Sequence, residues 1–122
     1  MSKNCFLAAA LVLLLLAATG GPAAASAASP SPPTGELVEG VKAENDPTQT
    51  YTLYLPSRFD PEKRWPGLLI FDPRGRSVLA AELFRDAAET HGWVILSSDN
   101  TRSDGPMEPN RQALDALWPE VH

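Results

Sequence analysis

Cysteine is all but missing from this chain. The single one, Cys5, stands ahead of an apolar run near the first residue. A disulfide framework and thiolate chemistry are therefore excluded from everything that follows it. Histidine is nearly as scarce, with only His91 and His122. Two histidines without cysteines or a spaced carboxylate cluster make a poor metal site, so no metal is expected. The phosphate-cradling pattern G-x-G-x-x-G is absent, and no other cofactor signature replaces it. Basic residues are outnumbered, giving a formal net charge of −5 at pH 7. Such a balance argues against nucleic acid or an anionic membrane surface as a partner.

The one long hydrophobic stretch, 6–18, has thirteen residues rich in Leu and Ala. A membrane-spanning helix needs about 20, so stable insertion is not expected. With Lys3 before it and small residues after it, this stretch reads as a secretory signal peptide over 1–27, cleaved after Ala25 or Ala27. A secreted or periplasmic location follows. Cys5 would leave with the leader, and nine basic residues would remain against fifteen acidic ones. Residues 28–36, with Pro30, Pro32 and Pro33 among Ser, Ala and Thr, cannot bury anything and read as a flexible linker. Folded structure is expected from 37.

Leu37, Val38 and Val41 suggest a weak first strand, closed by the turn Asn45-Asp46-Pro47. In 51–55, Tyr51, Leu53 and Leu55 share one face and Thr52 and Tyr54 the other, a better strand and an antiparallel neighbour of the first. Phe59 and Trp65 bracket a polar turn. The run WPGLLIFDPRGR (65–76) then holds a strand at 68–71 without alternation, as expected when both faces are covered. Over 78–91, Leu79, Ala80, Leu83, Phe84, Ala87 and Ala88 recur at helical spacing, with Ser77 placed to cap the start and Gly92 the end. A further apolar strand at 93–96 completes a parallel β-α-β unit. After a polar loop, a second helix is expected over 110–118, with Ala113, Leu114, Leu117 and Trp118 on one side and Pro119 ending it. The fold class is α/β.

The text TYTLYLPSRFDPEKRWPGLLIFDPRGR (50–76), followed by WVILSSDNTRSDGP (93–106), resembles the first part of an α/β hydrolase. More closely, it is similar to the secreted esterase branch that includes polyester depolymerase and feruloyl esterase relatives. The resemblance spans 37–118. It implies an incomplete α/β-hydrolase-type sheet in which the last strand inserts between the second strand and 68–71. It also implies an oxyanion hole fed by backbone N–H groups of the loop after 68–71, and a small-molecule or polymeric ester as substrate. Pro73 has no N–H, so that role would fall on Arg74 or Gly75. This loop departs from the His-Gly-Gly usual in lipases and esterases.

A serine hydrolase of this kind carries its nucleophile in G-x-S-x-G, and no such motif occurs here. Gly75-Arg76-Ser77-Val78-Leu79 comes nearest, but Leu79 replaces the second glycine and the strand end is too distant for a sharp elbow. Ser77 is accordingly read as a helix cap. His91 falls in the last turn of its helix, where it complements the dipole. No catalytic residue is identifiable. Asp99, Asn100, Arg102 and Asp104 follow the carboxyl end of a parallel strand. They would either line a substrate cleft or form a solvated turn. The expectation is an esterase portion that supplies the oxyanion loop but is inactive alone. The alternative is a small secreted non-catalytic module that binds a partner through an open sheet edge.

Overall fold

The computed structural model describes residues 31–121. The leader at 1–27, residues 28–30 of the linker and His122 lie outside the described residues, while 31–36 are irregular and exposed. Four strands follow: β1 (Leu37–Lys42), β2 (Thr50–Tyr54), β3 (Gly67–Ile70) and β4 (Val94–Ser98). Helix α1 (Ser77–His91) links β3 to β4, and α2 (Glu108–Leu117) runs on into a short 3-10 turn, Pro119–Val121. The strand order in the sheet is β1-β2-β4-β3. β1 pairs antiparallel with β2, β2 antiparallel with β4, and β4 parallel with β3. The result is a small mixed α/β sheet, and β4 does insert between β2 and β3.

Each face of the sheet has its own helix because β2 alternates cleanly. Tyr54 and Ile95 pack with Ala81 and Ala88 of α1, joined by Leu37, Leu68 and Ile70. On the other face Tyr51, Leu53, Leu55 and Leu96 meet Ala116 and Leu117 of α2. Two carboxylates and one pair of rings fasten the periphery. The Glu89 carboxylate of α1 accepts from Tyr54 Oη at 2.6 Å, from Ser57 N at 2.9 Å and from the Ser57 hydroxyl. Glu120 accepts from Glu44 N at 2.7 Å and Tyr51 Oη at 3.2 Å, clasping the 3-10 turn to the hairpin. The Phe59 and Trp65 rings lie 5.5 Å apart, and Trp65 Nε1 donates to Asp60 O, which closes the polar turn between β2 and β3.

Several boundaries differ from expectation. Ser97 and Ser98 extend β4, since Thr52 and Tyr51 of β2 pair with them. Phe71 lies past the end of β3 and is exposed. Ser77 does not cap α1: it is the first helical residue, Arg76 holds the cap position, and no side chain bonds there. Gly92 does close α1, in the left-handed conformation with its N–H on Ala88 O.

The helices also bury fewer of their apolar residues than their periodicity implies. Ala80, Ala81 and Ala88 press α1 onto the sheet, while Leu79, Leu83 and Phe84 are exposed. At about 100° per residue, Glu89 and Leu83 fall on opposite sides of that buried alanine stripe. Glu89 is tied to β2, so Leu83 overhangs the other way, towards β3. On α2, Ala113, Ala116 and Leu117 are buried whereas Leu114 and Trp118 face outward. Leu114 shares a cavity wall with Phe71, just past the end of β3, and with the loop after β4.

Candidate functional site

The carboxyl ends of β3 and β4 face the same way because the two strands are parallel. The loops that leave them form the crest of the sheet, the side on which open α/β sheets bind ligands. Asp72 organises the first loop. Its Oδ1 accepts from Arg74 N at 2.9 Å, Arg76 N at 3.2 Å and Arg76 Nε at 3.0 Å, and its Oδ2 accepts from Arg76 Nη2 at 2.8 Å. The Arg76 guanidinium, helped by the two backbone donors, holds the Asp72 carboxyl well below the usual carboxylate range. The Asp72 carbonyl accepts from Gly75 N at 3.0 Å and from Thr101 Oγ1 at 2.7 Å. Ser103 N reaches Pro73 O at 3.0 Å. Thus the second loop is stitched to the first.

Gly75 permits the closest approach between them. Its φ is +63°, and a Cβ there would lie 2.5 Å from Asp99 O. Neither N–H expected of an oxyanion hole is idle in this arrangement: Arg74 donates to the Asp72 side chain and Gly75 to the Asp72 carbonyl.

Ser77, Asp99 and Thr52 meet beneath the crest. The Ser77 hydroxyl bonds the Asp99 carboxylate and lies 2.8 Å from Thr52 Oγ1. Ser77 and Thr52 are both buried. His91 is the last residue of the fifteen-residue helix that Ser77 begins, about 20 Å away at the helical rise. His91 is therefore out of reach of this serine, and the cluster joins β2, α1 and the β4 loop. His91 instead lies beside Trp93, ring centroids 6.0 Å apart.

The structure brings one of the four expected cleft residues, Arg102, to a cavity. Asn100 turns inward, its Oδ1 accepting from Thr50 N at 2.9 Å, and Asp99 turns towards Ser77. Arg102 lines a crest cavity of about 470 Å³ together with Phe71, Pro73, Met107, Arg111 and Leu114. Its backbone is clamped by Asn110, which accepts from Arg102 N at 2.8 Å and donates to Arg102 O at 2.7 Å. Asp104 is exposed and does not line this cavity. Phe71, Met107, Arg111 and Leu114 escaped the sequence reading; the spacing of Met107 and Leu114, two helical turns apart, was the available signal. A second cavity of about 660 Å³ opens at the opposite end, where Gly67 and Val94 begin β3 and β4.

Comparison with protein-family models, curated proteins and solved structures gives no match for this chain. Among the described residues, no group of three or more His, Cys, Asp or Glu could hold a metal ion, and no helix is long and apolar enough to cross a membrane.

Proposed function

We propose that this chain is the amino-terminal portion of an exported α/β-hydrolase-like carboxylic ester hydrolase, inactive alone. It contributes the crest loop and one wall of the substrate cleft. The nucleophile, its acid and its histidine come from polypeptide outside these residues. The observation that carries this reading is the outer edge of β3. Leu68, Leu69 and Ile70 are apolar on both faces and only half-buried, and among the described residues no strand pairs beyond them. Leu83, exposed on α1, stands to the same side. A strand placed there would deliver its own carboxyl end beside the loop of Asp72, where a nucleophile needs to stand.

In the completed site an activated serine attacks the ester carbonyl, and backbone donors meet the negative charge that forms on its oxygen. Arg74 is the donor this geometry favours. Its N–H bonds a side-chain oxygen of Asp72, whereas the Gly75 N–H closes the turn itself on the Asp72 carbonyl. Two experiments test the reading. The purified chain, given a chromogenic short-chain ester, is expected to show no turnover above a Ser77→Ala control; turnover abolished by that substitution overturns it. The reading frame past the His122 codon is expected to encode a strand and G-x-S-x-G within the roughly thirty residues of one β-α-β unit. A stop codon in every transcript counts against the proposal.

A further inference from the structure

The crest cavity has a chemical bias that the ester reading leaves unused. Its walls are apolar at Phe71, Pro73, Met107 and Leu114, and its charged lining is wholly cationic: Arg102 and Arg111. Among the described residues no acidic side chain lines it, although the chain as a whole is acidic. Asp104 and Glu108 are close in sequence but belong to neither wall. Among the described residues the Arg102 guanidinium makes no hydrogen bond or ion pair, while Asn110 fixes its backbone on both sides. The guanidinium is thus presented from an anchored main chain. Among the described residues the Arg111 side chain meets only Asp115, at 3.8 Å, with both side chains largely exposed, a contact that holds it weakly.

We infer that this cavity binds an amphipathic monocarboxylate, its hydrocarbon body on Phe71, Met107 and Leu114 and its carboxylate on Arg102, with Arg111 adding charge. A planar guanidinium suits a carboxylate because two parallel N–H donors match its two oxygens. The cavity is an open groove, with Phe71, Met107 and Leu114 exposed along it, and has room for a small ligand. The inference deepens the ester reading, for such an acid is the acyl product of hydrolysis, but its test needs no turnover and so can fail or succeed independently.

Octanoate, titrated into the purified chain below its micellar concentration and followed by calorimetry and amide NMR, is the probe. Octanol supplies the same tail without charge, and acetate the charge without a tail. Octanoate is expected to saturate one site, shifting amides of Arg102 and Leu114, with octanol about tenfold weaker for want of the charge-assisted pair and acetate not binding measurably. Arg102→Gln is expected to weaken octanoate about tenfold and leave octanol unchanged. Added salt should weaken octanoate alone. Equal affinity for octanoate and octanol, or no saturable binding, overturns the inference. So does an Arg102→Gln chain of unaltered circular dichroism that binds octanoate as before. Should that variant not fold, the comparison of octanoate with octanol on the unsubstituted chain decides.

Discussion

Gly75 is where the two crest loops close on one another, and its demands are of two kinds. Its φ of +63° is one that side chains rarely adopt, and the Asp99 carbonyl oxygen occupies the space of a Cβ at 2.5 Å. Gly40 shares the first demand, with φ +65°, but has nothing within 4 Å of its Cβ position. Gly40→Ala should therefore cost about 1 kcal/mol, the left-handed penalty alone. Gly75→Ala should cost about 3 kcal/mol, since the loops must also part. Urea unfolding of both variants measures the difference; equal losses would remove the steric term. The glycine was legible in the sequence as a loop residue, but its reason was not, because Asp99 lies twenty-four positions away. Ser77 was misjudged for the same cause. A serine ahead of a helical pattern looks like a cap until Thr52 and Asp99, both distant in sequence, supply it with partners inside the fold.

At the scale of elements, Glu89 binds α1 to β2 and to the turn after it. Hydrogen bonds from the Ser57 hydroxyl, the Tyr54 hydroxyl and the Ser57 N–H lower its carboxyl from 4.5 to about 2. Burial first, and then the bond to Glu89, push Tyr54 up to about 12. A carboxylate whose pKa falls on folding gives its full stabilisation above the unfolded value and loses it as the pH drops through the folded one. The contribution of Glu89 is thus present above pH 4.5 and fades towards pH 2. Melting temperatures of the chain and of Glu89→Gln should differ by a constant amount from neutrality to about pH 5 and converge below it. A gap that ignores pH would show that Glu89 acts only by shape. Asp72, also depressed, should leave both proteins acid-labile to the same degree. Element type and order were readable because β2 alternates, both helices repeat at helical spacing, and β3 and β4 are short unbroken apolar runs. What periodicity could not reveal was how far the helices overhang. Leu83 repeats with the core alanines in sequence yet is 75% exposed, because at about 100° per residue it falls outside the narrow stripe of Ala80, Ala81 and Ala88 that meets the sheet.

For the whole molecule, that overhang and the bare edge of β3 are a single feature. Phe71, Leu83, Phe84 and Leu114 leave apolar surface exposed, and among the described residues β3 has no outer neighbour. Contiguous apolar surface beside unpaired backbone groups invites association. The net charge of −5 opposes this only weakly at close range in salt. The purified chain should therefore self-associate as its concentration rises, and should melt broadly. Leu83→Lys with Phe84→Gln should reverse much of that association while leaving helicity intact, since Leu83 contributes little to the core. Sedimentation velocity over a range of concentrations, with circular dichroism of both proteins, provides the measurement. The outcome also separates the two readings of the fold. A flank awaiting the rest of an esterase has no partner geometry of its own and yields a distribution of sizes. A self-sufficient secreted module gives one defined species with a sharp melt, and that result, unmoved by the double substitution, would place the function in a complete small protein.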